Sequence, residues 1–313
     1  MNKVFYCIPT YKEYNKVSNF LELMKQVKYE HLELIIVNAN PGDNTSKKIK
    51  ESESELPFKI IEIEGSSEEY WSSTLNRGLV YISENLNDDD WVIISNIDIS
   101  FEFDIVSKLV AKASVKQNCQ IGALAISECH VMSSGVIMKS WFLTKTFHPL
   151  AGMDIKDIAV YQSIEVDYLP GRCFIFPAAQ LLKVGLIDAQ NLPHYHADYE
   201  FSNRLKKNGC IPFIDNDIRI YVDMQNTGLS IYNSKKSLLE KIRNLISIKN
   251  PSNPKYRINF VFKVFPKIYI PSGIVLYLAR TFVETFIPEK IITKLFGSEN
   301  KGYSGVKSDS ETR

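Results

Sequence analysis

The sequence predicts an α/β fold in which helices cover both faces of a mostly parallel sheet, followed by a helical, amphipathic extension. Short apolar, β-branched runs alternate with stretches of helical period through the first half of the chain. Such alternation is typical of parallel sheets, because each crossover returns the chain to the same sheet edge. Near residue 237 the pattern changes to apolar, aromatic segments interrupted by prolines, which predicts the extension.

Strands and helices are predicted in strict alternation over the first 113 residues. The strands are short, apolar and bounded by turn residues, and lie at 4–8, 32–37, 58–63 and 91–95. The helices carry apolar residues at helical spacing and lie at 15–28, 44–49, 72–85 and 103–113. This part of the chain therefore predicts a parallel sheet whose strands share one carboxyl edge.

The middle of the chain is less regular. Strands are predicted at 120–127, 211–213 and 218–222, a strand pair or bent strand at 165–176, and a short helix at 180–185. Residues 130–137 fit a strand or a loop, and 141–157 an irregular, mobile segment. An amphipathic helix is predicted at 198–208, because Gly209 is a favourable residue directly after a helix end.

Length and cysteine content limit the class of protein. A chain of 313 residues can hold one large core, or a catalytic domain with an appendage. Its five cysteines are scattered without a CxxC motif, which argues against a disulfide framework or a structural zinc site and favours a reducing compartment. The first residues run directly into a strand, so no signal peptide is expected.

Charge is distributed unevenly along the chain. Residues 231–313 carry 15 Lys and Arg against 6 Asp and Glu, and the remainder carries 22 against 30. A basic, apolar segment favours an anionic membrane surface over nucleic acid as partner. Its longest uncharged piece, 268–279, is too short for the ~20 residues that span a bilayer. We expect a catalytic domain at 1–230, a membrane-association or oligomerisation extension at 231–297 and a disordered tail at 298–313.

A carboxylate follows the fourth predicted strand. Asp98 comes shortly after the apolar run 91–95. An unpaired carboxylate at the end of a buried strand is costly, and ligands of open α/β sheets bind beyond the carboxyl ends of strands. Asp98 is therefore placed to bind a divalent metal or a phosphate-bearing ligand. The alternative is an N-cap for the helix at 103–113.

Five motifs in order carry a resemblance to a known family. They are IPTYKE (8–13), VNANPGDNT (37–45), LNRGL (75–79), SNID (95–98), and VGLID followed by HADYEFSNR and a glycine (184–209). Together they resemble family 2 glycosyltransferases with the GT-A (Rossmann-like) fold, over roughly residues 3–230. The similarity is greatest to bacterial polysaccharide enzymes, including the rhamnosyltransferase-like group.

The resemblance implies a set of donor-binding residues. The residues expected to bind the nucleotide-sugar are Pro9, Thr10, Tyr11, Glu13, Asn38, Asn76, Arg77 and Asn96. Asn38 stands where the family usually has an Asp that accepts a hydrogen bond from the pyrimidine ring of the donor nucleotide. The identity of that nucleobase is therefore left open, with UDP- or dTDP-sugars favoured. Arg77 suits a diphosphate, but equally suits a surface helix position. Tyr70 and Trp71 would either stack on a ligand or pack in the fold.

The resemblance also implies a metal site and a catalytic base. Asp98 aligns with the last acid of the DxD motif that holds Mg²⁺ or Mn²⁺, and Asn96 replaces the first acid. Asp223 is the candidate to replace a histidine that completes the family's metal shell. Asp198 aligns with the base of inverting members, its alternative being a helix cap. His194 and His196 are either a metal pair or acceptor-site or structural residues, and the latter is favoured.

These assignments predict an inverting glycosyltransferase. It would move a sugar from a nucleoside-diphosphate donor to a hydroxyl of a glycan or lipid-linked glycan, in O-antigen or capsule synthesis at the inner face of the cytoplasmic membrane. A sugar nucleotidyltransferase is a rival, although residues 9–13 lack the Gly- and Arg-rich loop that it needs. A non-catalytic nucleotide- or glycan-binding protein is another, because Asn38, Asn96 and Ala197 occupy family acid positions.

Overall fold

A computed structural model describes residues 2–158, 162–223 and 237–287. Its first half is a four-stranded parallel unit with strand order β3-β2-β1-β4. The strands are β1 (Val4–Thr10), β2 (Leu32–Asn38), β3 (Lys59–Glu64) and β4 (Trp91–Ser95). The crossovers between them contain α1 (Tyr14–Met24), α2 (Thr45–Ser52) and α3 (Trp71–Asn85).

The second half extends the same sheet beyond β4 in a mixed arrangement. The added elements are β5 (Ile99–Phe101), α4 (Ile105–Lys116), β6 (Cys119–Ser127), β7 (His130–Ser133), β8 (Ile137–Ser140), β9 (Lys145–Phe147), β10 (Ser163–Glu165), β11 (Cys173–Pro177), α5 (Ala179–Val184), α6 (Ala197–Lys207) and β12 (Ile211–Val222). The sheet continues in the order β4-β11-β6-β12-β10, with β11 antiparallel to both of its neighbours. β5 pairs with β12, and β8 with β9 forms a separate hairpin.

The predicted α/β class with a mostly parallel sheet is confirmed. Three local predictions differ from the structure. The segment 165–176, expected as a strand pair or bent strand, instead runs from the end of β10 to β11, and these two strands lie apart in the sheet. The strands expected at 211–213 and 218–222 are one strand, β12, with an irregularity between Asp215 and Arg219. The irregular segment at 141–157 contains β9 and a 3₁₀ turn, Ile155–Asp157.

The core lies on both faces of the sheet because side chains alternate along each strand. In β1, Tyr6 and Ile8 pack on one face, and Phe5 and Cys7 on the other. Gly78 lets α3 approach the second face closely, since a Cβ there would lie 2.2 Å from the Cys7 sulfur. The close contact packs the middle of α3 tightly against β1.

Three helices follow β12: α7 (Leu238–Leu245), α8 (Pro254–Val264) and α9 (Ile270–Phe286). Phe260, Phe265 and Tyr277 are buried in the core that also contains Tyr168 and Phe201. These three aromatics therefore pack on the sheet domain and are not available to a membrane surface.

Other apolar residues of the extension are exposed, among them Phe262, Ile268, Val275, Leu278 and Phe282. Within the described ranges, no helix has the length and apolar character that crossing a bilayer requires.

Candidate active site

Two carboxylates meet beyond the end of β4. The antiparallel β5–β12 ladder pairs Ile99 with Val222, so the same register continued by one step places Asp98 opposite Asp223. Asp98 does not cap the next helix, because α4 begins at Ile105 with Asp104 at its N-cap. The capping alternative is therefore wrong, and the structure brings the two predicted metal ligands together.

A lysine lies beside this acidic pair. The Lys16 ammonium donates to Glu13 over 2.6 Å and lies within electrostatic reach of Asp98 and Asp223. Burial lowers the pKa of Lys16, but the hydrogen bond to Glu13 and the three negative charges outweigh it and raise that pKa overall. Glu13 is thus tied to Lys16 at the rim of the acidic pair.

The loop after β1 lies at the same edge. Thr10 is buried, and its hydroxyl has no hydrogen-bond partner among the residues that the structure describes. Tyr11 is partly exposed, and Lys12 has a positive φ of 54°. An unsatisfied buried hydroxyl next to an exposed aromatic ring is a favourable arrangement for a ligand with polar and flat groups.

Asn38 is part of a buried hydrogen-bond network. Its side-chain oxygen accepts from the Asn40 amide over 3.0 Å, and its side-chain nitrogen donates to Ser46 and to Glu62, each over 3.1 Å. Glu62 also accepts from the Ser46 hydroxyl over 2.6 Å. An Asp at position 38 would face the Glu62 carboxylate with no proton to donate, which explains the Asn found there.

Asn76 and Arg77 are both engaged by the protein. The Asn76 amide donates to the Ile187 carbonyl over 2.7 Å and accepts from the Ile187 amide over 2.9 Å. The Arg77 guanidinium makes a two-pronged ion pair with Glu69, with its shortest contact at 2.7 Å. These bonds hold α3 in place, and the assignment of both side chains to the donor site stays a prediction.

Four residues connect β4 to α6. The Trp71 indole donates to the Asn96 side-chain oxygen over 3.0 Å. Gly171 lies between Trp71 and Asp198, since a Cβ at Gly171 would lie 2.9 Å from the indole ring and 3.1 Å from the Asp198 Cβ. Trp71 is therefore a packing residue that links the DxD-like segment to the candidate base.

Asp198 lies in the first turn of α6 and is held by two backbone amides. Its carboxylate accepts from Gly171 over 2.8 Å and from Tyr199 over 2.9 Å. Burial raises its pKa, and the backbone hydrogen bonds together with the Arg172 charge offset only part of this rise. The N-cap of α6 is His196, so the capping alternative for Asp198 is wrong.

The two histidines are structural. His196 packs against Phe260 with ring centroids 5.1 Å apart and donates from Nε2 to the Pro251 carbonyl over 3.2 Å. His194 lies edge-on to Tyr70 and Tyr195.

Burial, aided by nearby positive charge, lowers the pKa of both imidazoles to about 4, so both are neutral at pH 7. Over the described ranges, no group of three or more His, Cys, Asp or Glu is arranged to hold a metal, so the histidine-pair alternative has no support.

Sequence reasoning missed three residues near this site: Glu62, Arg172 and Lys249. Arg172 is within electrostatic reach of Asp198, and its carbonyl accepts from the Asn96 amide over 3.1 Å. Its position directly after Pro170-Gly171 and before a buried strand was a usable signal, because such turns deliver side chains to a sheet edge. Glu62 and Lys249 lie in no motif and are brought here by tertiary contacts alone.

Residues 6–131 match the family model described as glycosyl transferase family 2. The match covers less than half of the chain, so it marks this segment as similar to family 2 glycosyltransferases. The predicted enzyme class, a glycosyltransferase, is confirmed. No curated protein sequence matches the chain.

Solved structures of glycosyltransferases share the fold. The chain is similar to the mannosyltransferase PcManGT of Pyrobaculum calidifontis in complex with GDP-Man and Mn²⁺, with 13% identity, a TM-score of 0.53, and coverage of 90% of this chain and 69% of that one. It is similar to S. aureus TarS 1–349 in complex with UDP, with 13% identity, a TM-score of 0.55, and coverage of 90% and 72%. GalNAc-T7 with UDP, GalNAc and Mn²⁺ gives 11% identity, a TM-score of 0.54, and coverage of 95% and 56%. These similarities confirm the GT-A fold.

Proposed function

We propose that the protein transfers a sugar, with inversion, from a nucleoside-diphosphate sugar to a hydroxyl of a glycan or lipid-linked glycan in bacterial surface polysaccharide synthesis. The observation that carries this proposal is the environment of Asp198. A partly buried carboxylate of raised pKa, held by two backbone amides, lies at the same sheet edge as the Asp98–Asp223 pair. A base and an acidic pair that can bind a divalent cation, placed at one edge, are what a metal-assisted transfer requires.

The acidic pair fits Mg²⁺ or Mn²⁺. Both ions prefer oxygen ligands, and Mg²⁺ is commonly bound by one or two carboxylates together with substrate phosphates. Asp98 and Asp223 would supply the two carboxylates. When bound, the metal would neutralise charge on the leaving diphosphate. Two of the similar structures contain Mn²⁺ in complexes with nucleotides, which supports a divalent metal here.

Asp198 would act as the general base. Its carboxylate takes the proton of the acceptor hydroxyl while the oxygen forms a bond to the anomeric carbon of the donor. The bond between that carbon and the diphosphate breaks, and the nucleoside diphosphate leaves with the electron pair. Attack opposite to the leaving group inverts the anomeric centre. The raised pKa of Asp198 favours proton transfer, because a stronger base accepts the hydroxyl proton more readily.

The donor would bind along the loop after β1. We assign Pro9, Thr10, Tyr11 and Glu13 to this pocket. Asn38 would support the pocket through its hydrogen bond to Glu62. Asn96 would line the diphosphate side, where the Trp71 indole fixes its amide. UDP- and dTDP-sugars remain favoured, and GDP-sugars belong in the assay because one similar structure holds GDP-Man.

Transfer and its rivals can be separated by one set of assays on the full chain. With Mn²⁺ and UDP-, dTDP- or GDP-sugars, we expect release of the nucleoside diphosphate by the wild type. Asp198→Asn should lower turnover by about 100- to 10,000-fold with little change in donor affinity. Asp89→Asn, an exposed acid outside the site, is the matched control.

The alternatives predict other outcomes. Binding without turnover in both wild type and Asp198→Asn would favour a non-catalytic module. Pyrophosphate release from a nucleoside triphosphate and a sugar 1-phosphate would favour a nucleotidyltransferase.

We further propose that the enzyme lies on the inner face of the cytoplasmic membrane without crossing it. Val275, Leu278 and Phe282 are exposed at helical spacing along α9, which also carries the basic residue Arg280. Apolar residues beside basic ones are typical of helices that bind anionic interfaces, where each basic residue contributes about 1 kcal/mol.

Flotation with anionic vesicles at low salt tests this placement. Full-length protein should float, and the triple substitution of Val275, Leu278 and Phe282 by Ser should not. Val115→Ser, which removes an exposed apolar residue from the sheet domain, is the control. A wild type that stays unbound but is dimeric in solution would instead assign the stripe to homo-oligomer formation.

A further inference from the structure

We propose that Lys249, in the loop between α7 and α8, binds a phosphate group of the substrate. The inference rests on the proposed function and adds a residue that none of the five motifs contains. The loop comprises residues 246–253 and is called the α7–α8 loop below. Three observations carry the inference: how the loop is anchored, where it places the ammonium, and the charges around it.

The α7–α8 loop is fixed by its own side chains. Asn250 donates to the Asn244 carbonyl over 2.8 Å, and Asn253 donates to the Ser247 carbonyl over 3.1 Å. The Ser252 hydroxyl donates to Glu284 of α9 over 2.6 Å. A loop held by this many internal bonds has a defined shape, so the position of Lys249 follows from the fold.

The loop is also docked on the segment that leads to the catalytic base. The Pro251 carbonyl accepts from His196 Nε2 over 3.2 Å, and from Arg257 Nε over 3.3 Å. His196 precedes Asp198 by two residues. Movement of the α7–α8 loop relative to the base is therefore restricted.

This docking places the Lys249 ammonium beside the donor loop. Its nitrogen lies 5.9 Å from the centre of the Tyr11 ring, and Lys12 lies 5.2 Å from the same ring centre. Lys249 also lies within electrostatic reach of His194. The ammonium thus stands between the proposed donor pocket and the segment that carries Asp198.

Lys249 has no ion-pair partner anywhere in residues 2–158, 162–223 and 237–287, whereas Lys263 of the same extension pairs with Asp188. Lysine binds phosphate as a compact point charge. A cation left unneutralised next to a pocket for a diphosphate substrate is suited to a phosphate oxygen. That oxygen could come from the donor diphosphate or from a phosphate that links a lipid to the acceptor.

Binding measurements on the full chain test the inference and distinguish these sources. Calorimetric titrations with UDP, dTDP and GDP, and with the matching nucleosides, are made in Mn²⁺ on wild type, Lys249→Ala and Lys267→Ala. Lys267→Ala is the matched control, because Lys267 is exposed in the same extension and its substitution removes the same charge. A second arm titrates geranyl pyrophosphate into protein saturated with a nucleoside diphosphate.

If the donor supplies the phosphate, Lys249→Ala should weaken nucleoside diphosphate binding by about tenfold, as expected for loss of one hydrogen bond to a charged group. Nucleoside binding and the Lys267→Ala protein should be unchanged. If the acceptor supplies it, only geranyl pyrophosphate binding should weaken.

Unchanged affinity for every phosphate ligand in Lys249→Ala would overturn the inference alone, and so would equal weakening in Lys267→Ala. A wild type that binds no nucleoside diphosphate would overturn the proposed function, and the inference with it.

Discussion

His196 should make the folded protein sensitive to acid. Burial and the nearby Arg257 charge lower its pKa in the folded state from 6.5 to about 4. Above pH 6.5 the imidazole is neutral in the folded and unfolded states, so its contribution to stability is fully present. Between pH 6.5 and 4 only the unfolded state takes up the proton, and the free energy of unfolding falls.

The size of the effect follows from the two pKa values. At pH 5.0 the unfolded state gains about 2 kcal/mol relative to the folded state from this one histidine. That is a large part of the roughly 5–15 kcal/mol that stabilises a typical protein. His194 has a similarly lowered pKa and should contribute a similar, separate loss.

Urea unfolding at pH 7.5 and pH 5.0 measures this contribution. His196→Asn removes the titration, and asparagine tolerates the left-handed backbone at this position, where φ is 69°. We expect the wild type to lose about 2 kcal/mol more stability between the two pH values than His196→Asn does. His31→Asn, the same substitution at an exposed histidine, is the matched control. An equal loss in wild type and His196→Asn would refute the reasoning.

Three further substitutions test the site and its support. Asp98→Ala should abolish transfer and Mn²⁺-dependent nucleotide binding without unfolding the chain, and unchanged Mn²⁺-dependent affinity would remove Asp98 from the metal site. Arg172→Gln removes a positive charge that lowers the pKa of Asp198, so that pKa should rise and the acidic limb of the kcat profile should move to higher pH. A pH profile that does not shift would show that the Arg172 charge has no effect on the pKa of Asp198. Gly78→Ala should cost about 1–3 kcal/mol in urea unfolding, because its Cβ would meet the Cys7 sulfur; wild-type stability would mean that α3 can shift.

The parallel strands of the first half and the two acids of the candidate metal site could be predicted from the sequence. The segments that form β1, β2 and β4 are almost continuously apolar, because both faces of these strands are covered. Such a pattern can be recognised in the sequence without a structure. Asp98 could be placed because a carboxylate soon after a buried strand end has few other uses. Its partner Asp223 was placed by the family resemblance, and the β5–β12 register brings the two together.

Partners that are distant along the chain could not be predicted. A motif places Asn76 on a helix, but its hydrogen bonds go to Ile187, 111 residues later. The aromatics of the extension illustrate a second limit. Phe260 and Phe282 are the same residue type in similar sequence surroundings. Yet Phe260 is buried in the core, and Phe282 is 60% exposed. Lipid and protein interiors are both apolar, so hydrophobic spacing alone cannot separate them.

The two halves of the site have different origins in the chain. The family model covers residues 6–131, which include the loop after β1, Asn38 and Asp98. Asp198, Gly171 and Arg172 come later, and they are supported by the extension through His196 and through Lys263, which pairs with Asp188. The proposed donor and metal side is therefore built mainly from the family segment, and the proposed acceptor side from the rest. Because α8 packs on α6, which carries the proposed base, the extension belongs to the acceptor side and is where differences in acceptor preference should be sought.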